Sequence, residues 1–269
     1  MKVVGITTAR ELTRLGYPID LTLRSFGPAA WAVVAADEND PEGCPPPALC
    51  LPDGLPQPRL TIVSTDWSSR KGAALFRWVL RTALHTAIEK LHATHVLYLE
   101  ADEAMRPGDV AGLVREAPPV AWLPRYQFWR DLSTIRLDWT VALPRWASVE
   151  ALLPSLDKGE GDASALPVKP EYAVAQFPWP IFHYSRVGNP RMIAARRRAV
   201  ARLWVGARED ESDESVGIEV PDVYDFAPRR YENWEKGKMP PMAQPLFAEL
   251  YGEHPPGAWA MFDPRWGER

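Results

Sequence analysis

Apolar and polar positions alternate in blocks along the first half of the chain. Apolar residues recur at helical spacing over 69–92, and a proline begins a second, shorter helical segment at 18–26. Strands and helices in alternation predict an α/β domain whose parallel strands are joined by right-handed crossovers. The continuous apolar runs that are short enough to be buried strands lie at 2–7, 31–36, 60–64 and 95–99.

The second half of the chain is less regular. The proline-rich loop at 37–58 is long for a compact domain, which is typical of a functional or poorly ordered segment. From about residue 220 the chain is rich in proline and tryptophan and has little periodicity. We therefore predict a core at 1–205 and an extension at 206–269 that packs on this core. The further elements predicted are strands at 120–124 and 139–143, a polar loop at 158–165 and a helix at 190–205.

The amino-acid composition argues against several classes of function. The net charge of −4 leaves no basic surface of the kind that nucleic-acid binding requires. No run approaches the roughly 18 apolar residues of a membrane-spanning helix. The first strand turns polar at Thr7, unlike a signal peptide, so we expect a cytoplasmic protein. Most of the 12 tryptophans are expected in the core, with a few left for stacking on sugars. The sequence does not decide whether Cys44 and Cys50 are free thiols or form a local disulfide.

An acidic cluster follows the last strand of the first half. Glu100, Asp102 and Glu103 come directly after the apolar run, where parallel sheets bind their ligands. If the backbone stays extended, Glu100 and Asp102 lie on the same side. Crowded carboxylates are unfavourable away from water unless a cation compensates them, which predicts a divalent cation with oxygen ligands. The alternative is a solvated acidic loop.

Two segments together resemble a known family. The first combines Trp67, Lys71-Gly72-Ala73, Arg77 and the run 95–103, and it resembles the central stretch of bacterial glycosyltransferase family 2 and its relatives. The second, 181–187 with Pro190 and Met192, is similar to a later stretch in a subset of that family. The resemblance covers roughly 1–205. It implies a GT-A-type nucleotide-diphospho-sugar transferase fold, with a mostly parallel central sheet flanked by helices. Its nucleotide-sugar-binding half would be 1–103, and its acceptor side 104–205.

The resemblance implies a metal centre. Asp102 would coordinate a divalent cation, Mn²⁺ or Mg²⁺, that bridges the two phosphates of the donor. Glu100 stands where the family more often has Asp, and would contact ribose or metal-bound water. Glu103 would orient the acceptor or Asp102. His183 would add a metal ligand, since imidazole suits manganese. A hydrogen-bonded, purely structural histidine is the alternative for His183.

The resemblance also implies a nucleotide-binding end. Asp37 would hydrogen-bond the base, but Glu38-Asn39-Asp40-Pro41 then departs from the family's pattern and leaves the base open. Arg10 would reach a phosphate or a base edge, and Lys71 a phosphate, with a solvated charge as the alternative for Lys71. The full set of residues expected at the donor is Thr7, Thr8, Arg10, Asp37, Trp67, Lys71 and Glu100.

An inverting transfer needs a carboxylate base for the acceptor hydroxyl. Asp131 is the first choice, because Trp129 would shelter it and form a sugar platform, and Asp138 is the second. Both are equally compatible with surface acids. The predicted function is a metal-dependent glycosyltransferase that uses a nucleotide sugar. Its acceptor, whether a glycan, a lipid-linked sugar or a small molecule, is not fixed by the sequence.

Two other functions stay open. One is a non-catalytic nucleotide- or carbohydrate-binding protein on the same fold. The other is a sugar nucleotidyltransferase. This class is disfavoured because it usually has a glycine-rich loop after the first strand, whereas Gly5-Ile6-Thr7-Thr8 contains a single glycine. We expect the predicted arginine-rich helix at 190–205 to have a solvated charged face. Peripheral contact of this helix with an anionic membrane is the alternative.

Overall fold

The computed structural model describes residues 1–10, 12–38, 58–154, 164–172 and 177–188, with short stretches beyond them at 192–193, 195–196, 199, 203, 242–243 and 254–255. At 13–14, 129–131 and 133–141 the description covers the backbone alone. Both cysteines, most of the predicted loops at 37–58 and 158–165, and most of the extension therefore lie outside the described residues. The division of the chain at residue 205 stays a prediction.

The elements follow in an order close to the predicted one. Among the described residues, no helix is both long and apolar enough to cross a bilayer. The strands are β1 (Val3–Ala9), β2 (Trp31–Asp37), β3 (Arg59–Thr65), β4 (His95–Tyr98), β5 (Glu103–Ala104), β6 (Val120–Ser148), β7 (Ile181–Val187) and β8 (Met242–Ala243). The helices are α1 (Leu12–Leu15), α2 (Ile19–Ser25), α3 (Gly72–His85), which continues into a π-helical turn (Thr86–Lys90), and α4 (Pro107–Glu116).

One mixed sheet organises these elements, in the order β3-β2-β1-β4-β6-β7-β5, with β8 paired to β6. Parallel pairings join β1 to β2, β2 to β3, β1 to β4 and β6 to β7. The pairings of β4 with β6, β5 with β7 and β6 with β8 are antiparallel. The predicted α/β class, with a largely parallel sheet flanked by helices, is confirmed.

The strand order reverses beside β1. From β1 the chain moves outward to β2 and β3, and it then returns to place β4 on the other side of β1. Connections on the two sides of such a reversal leave the sheet toward opposite faces, which opens a crevice at the carboxyl ends of the two central strands. The acidic run that follows β4 therefore begins at the position where α/β sheets bind their ligands.

Two hydrophobic cores lie on opposite faces of the sheet. Along β2, Ala32, Val34 and Ala36 belong to one core, whereas Val33 and Ala35 belong to the other. This alternation is the period of two that a strand imposes on its side chains. Leucine and valine residues of α1, α2 and α4 cover the first face, and those of α3 cover the second.

The long strand β6 contains both strands predicted in the second half. Its first part pairs with β7, with Arg125 opposite Ile181, and its last part pairs with β4, with Trp146 opposite Leu97. The amide of Ser148 donates to the carbonyl of Pro119 at 2.7 Å. The two ends of β6 therefore lie side by side, and the segment folds back on itself between them.

The sequence pattern missed several elements and misread one arginine. The elements that it did not predict are α1, α4, β5, β7 and β8. Helix α4 begins with Pro107 at its first turn and Gly108 after it, a pair that reads locally as a turn. The described residues of the predicted helix at 190–205 are helical. However, Arg196 is not on a solvated face: it is buried, and its guanidinium donates to the carbonyls of Leu15, Gly16 and Val187.

A histidine of the predicted extension lies against the sheet. His254 is buried, and its Nε2 donates to the carbonyl of Leu132 at 3.0 Å. Its Nδ1 therefore accepts the hydroxyl of Tyr184, also at 3.0 Å. The imidazole packs on Phe128, with ring centroids 4.4 Å apart. Burial lowers the pKa of His254 to about 4, with partial opposition from the Leu132 hydrogen bond.

The first strand depends on a glycine. A Cβ on Gly5 would lie 2.2 Å from Cγ of Phe26, inside the first core. We expect Gly5→Ala to lower the free energy of unfolding by about 1–3 kcal/mol, since a buried ring must move. Gly108→Ala is the matched control, because its Cβ would meet nothing within 4 Å. Urea unfolding of both variants checks this, and equal stabilities would contradict the packing described.

The lowered pKa of the buried His254 determines the direction in which the stability of the fold changes with pH. Its folded pKa lies below the ordinary value near 6.5, so the unfolded chain binds more protons between about pH 6.5 and 4. Stability is therefore lost as the pH falls through this window, by up to about 3 kcal/mol from this residue. His254→Gln, which keeps a donor and an acceptor but does not titrate, should flatten that part of the curve.

Denaturant unfolding of wild type and His254→Gln at pH 7 and pH 4 measures the difference. His92→Gln, at an exposed position, is the control. Identical pH dependence in wild type and His254→Gln would show that the imidazole is not held neutral by burial.

Candidate functional site

The acidic run after β4 forms a tight turn. The amide of Glu103 donates to the carbonyl of Glu100 at 3.0 Å, and the amide of Glu100 donates to Oε2 of Glu103 at 2.8 Å. The extended backbone that would place Glu100 and Asp102 on the same side does not persist past β4. The turn instead brings Glu100 and Glu103 together.

The turn leads directly into a strand pairing that assembles the site. In the antiparallel pair of β5 and β7, Glu103 lies opposite His183. The amide of Tyr184 donates to the carbonyl of Asp102 at 2.8 Å. As a result, Nε2 of His183 lies 3.5 Å from Oδ1 of Asp102, and each residue is only 8% exposed. Two residues that were singled out 81 positions apart in the sequence are thus neighbours.

Two arginines of β6 neutralise the glutamates of the turn. Nη2 of Arg145 lies 2.8 Å from Oε1 of Glu103 and 3.6 Å from Oε1 of Glu100. Nη1 of Arg125 lies 3.4 Å from Glu103 and 3.8 Å from Glu100. Arg145 and Glu103 are both fully buried. Positive charge that compensates the crowded glutamates is therefore supplied within the chain by two arginines, and the prediction of a metal ion at this turn stays a prediction.

Burial and neighbouring charges shift the pKa values of Glu100 and Asp102 in opposite directions. Burial, followed by repulsion from Glu103, raises the pKa of Glu100. Burial also favours the neutral form of Asp102, but the charge and hydrogen bond of His183 outweigh it, and the pKa of Asp102 is lowered. Asp102 is thus the acid of this turn that is driven toward the ionised form, as a metal ligand must be.

Asp102 and His183 fit a divalent cation. Ligand atoms of Glu100, Glu103 and His183 lie within 4.8 Å of one another. However, both oxygens of Glu103 already accept hydrogen bonds, one from Arg145 and one from the Glu100 amide. The Asp102–His183 separation of 3.5 Å matches the roughly 3.4 Å that two ligands of a tetrahedral ion show at bond lengths of about 2.1 Å. Nδ1 of His183 has no hydrogen-bond partner among the described residues.

A second polar group lies at the ends of β1 and β2. Nε of Arg10 is 3.2 Å from Oδ2 of the buried Asp37, and its guanidinium lies over the ring of Trp67, 5.9 Å from the centroid. The indole of Trp67 donates to the hydroxyl of Thr65 at 2.9 Å, and Thr65 donates to the carbonyl of Ala36 at 2.8 Å. The predicted donor residues Arg10, Asp37 and Trp67 are therefore brought together.

The other predicted donor residues are placed less closely. The hydroxyl of Thr7 is buried and has no partner in the described part of the chain, and Thr8 follows it in β1. Lys71 is exposed at the residue before α3. No contact described here joins Lys71 to Asp37 or Asp102. These three assignments stay predictions.

The two candidate bases lie in β6. The backbone places Asp131 and Asp138 within this strand, but their side chains, and that of Trp129, lie outside the described residues. The choice between the two acids therefore stays a prediction.

Sequence reasoning missed both arginines that hold the turn. Each of them ends a Leu-Pro-Arg tripeptide, at Leu123-Pro124-Arg125 and at Leu143-Pro144-Arg145. Both tripeptides fall in β6, and each places a proline within a strand, where it is unusual. That repetition is the signal that could have singled them out.

Comparison with known proteins gives low-scoring structural similarities alone. No protein-family model matches the chain, and no curated protein sequence matches it. The solved structures that are similar include Staphylococcus aureus TarS 1–349, at 13% identity and a TM-score of 0.37, over 88% of this chain and 74% of that one. They also include a Thermus thermophilus mannose-1-phosphate geranyltransferase, at 15% identity and a TM-score of 0.30, over 84% and 68%.

The buried ion pair predicts a large effect from a single substitution. Arg145→Met leaves the fully buried Glu103 with only the longer contact to Arg125, and should lower the free energy of unfolding by about 3–5 kcal/mol. Arg115→Met, at an exposed position of α4, is the control and should change it by less than about 0.5 kcal/mol. Thermal and urea unfolding measure both, and a mild effect at Arg145 would contradict a buried charge pair.

Proposed function

We propose that this chain is a glycosyltransferase that moves a sugar from a nucleotide-diphosphate donor to an acceptor, with a divalent cation held by Asp102 and His183. The observation that carries the proposal is the convergence of these two side chains, 3.5 Å apart, beside the reversal of strand order. A carboxylate and an imidazole at that position suit a hard or borderline divalent cation. Supporting this, Arg10 and Asp37 lie at the ends of the adjacent strands.

Each half of the site has a proposed task. Asp37 would hydrogen-bond the base, and Arg10 would contact a phosphate or a base edge. Thr7, Thr8, Trp67 and Lys71 would complete the nucleotide site. A bound Mn²⁺ or Mg²⁺ would supply the positive charge that stabilises the departing diphosphate.

The acceptor side completes the proposal. Inversion requires a base that removes the proton of the acceptor hydroxyl on the face opposite the leaving group. Asp131 is proposed for this role and Asp138 is the second choice, both on the β6 side of the sheet. The extension at 206–269 is proposed to cover the core, and the cytoplasm is the proposed compartment. Peripheral contact with a membrane would suit a lipid-linked acceptor.

The direct test is calorimetric titration of UDP, GDP, ADP, CDP and dTDP with and without Mn²⁺. We expect one of them to bind, and to require the metal. Asp102→Asn should weaken the binding of that nucleotide in the presence of Mn²⁺ by at least about tenfold, because it removes an anionic ligand. Asp20→Asn, in the first turn of α2, is the matched control and should bind as wild type does.

The same titration, extended to nucleoside triphosphates and to nucleotide sugars and followed by an assay of nucleotide-sugar hydrolysis, separates the alternative functions. Preference for a nucleoside triphosphate would favour a nucleotidyltransferase. Metal-dependent binding of a nucleotide sugar without any slow hydrolysis to the nucleoside diphosphate would favour a non-catalytic binding protein. Unchanged affinity in Asp102→Asn would overturn the assignment of the metal ligand.

A further inference from the structure

We infer that Glu103 is a positioning residue: its carboxylate closes the 100–103 turn and so fixes Asp102 against His183, and Arg145 holds that carboxylate in place. This inference rests on the proposed function, because Asp102 and His183 are the proposed metal ligands. It assigns to Arg145, and to the ion pair it forms, a role in metal binding.

The first step of the argument is the double closure of the turn. The backbone closes it through the bond from the Glu103 amide to the Glu100 carbonyl, at 3.0 Å. The Glu103 side chain closes it again by accepting the Glu100 amide at 2.8 Å. A donor and an acceptor at each end leave the intervening Asp102 little freedom to rotate away.

The second step is that Glu103 is itself held from three directions. Arg145 binds its Oε1 at 2.8 Å, and the hydroxyl of Thr22 in α2 donates to its carbonyl at 2.7 Å. The pairing of β5 with β7 fixes its backbone opposite His183. Ligand positions in functional sites are set by neighbours whose own positions are locked in this way.

The third step concerns Arg145. Its guanidinium lies over the ring of the buried Tyr98, 4.7 Å from the centroid, and it is fully buried. Its Nε and Nη1 have no hydrogen-bond partner among the described residues. This guanidinium therefore forms its ion pairs with Glu103 and, at a longer distance, with Glu100.

Two double variants isolate the hydrogen bond that closes the turn. Both replace Arg145 by Met, so that no unpaired charge is left buried and folding is preserved. In Glu103→Gln with Arg145→Met, the amide oxygen can still accept the Glu100 amide. In Glu103→Leu with Arg145→Met, nothing can accept it. His85→Gln with Glu89→Gln, an exposed ion pair on another part of the fold, is the control.

The readouts are Mn²⁺ affinity, from the EPR signal of the free ion with and without saturating UDP, and thermal stability. We expect the Leu variant to melt at a lower temperature than the Gln variant, because it leaves the Glu100 amide without an acceptor. At a temperature where both variants are folded, we expect it to bind Mn²⁺ at least about tenfold more weakly than the Gln variant. Equal Mn²⁺ affinity in the two folded variants would overturn the inference, because a merely structural role changes the melting temperature alone.

Failure of the proposed function gives a different result. If wild type binds no Mn²⁺, the metal assignment fails, and the turn is then examined through hydrogen exchange of the Glu100 amide. Slow exchange in wild type and the Gln variant, with fast exchange in the Leu variant, would support the positioning role of Glu103. Equal exchange in all three proteins would end it.

Discussion

Burying crowded carboxylates at the end of β4 is the constraint on which this structure depends. Glu100 and Glu103 repel each other across a turn from which water is largely excluded, and such a pair stays ionised only if positive charge lies within a few ångströms. Arg125 and Arg145 supply that charge, and both come from β6. β6 must therefore fold back and lie next to β4 and β7.

This neutralisation separates the three acids into two roles. Glu100 and Glu103 share the two arginines. Within the described part of the chain, the ion pair of Asp102 is instead with His183. The buried Arg196, which spans Leu15, Gly16 and Val187, adds a further positive charge that helps to lower the pKa of Asp102. The proposed ligand set, a carboxylate beside an imidazole, is simpler than the three-acid cluster that the sequence displays.

The sheet places this ligand set where it can act. The reversal of strand order beside β1 puts the ends of β1 and β4 at the position where α/β sheets bind their ligands. Gly5 contributes from within β1, because Phe26 packs on the space where a side chain would lie. The polar group of Arg10, Asp37 and Trp67 and the acidic turn thus share one edge of a rigid core.

The sequence by itself determined the strands of the first half, helix α3 and the α/β class, because these depend on apolar periodicity within short windows. It also singled out Glu100, Asp102 and Glu103, since acidic residues at the end of an apolar run are visible locally, and the family resemblance added His183. Only the tertiary structure decided that Asp102 and His183 are neighbours, that Arg125 and Arg145 hold the glutamates, and that Arg196 is buried. Those contacts depend on strand pairings between residues tens of positions apart, and pairing register is set by packing across the whole sheet, which no local pattern encodes.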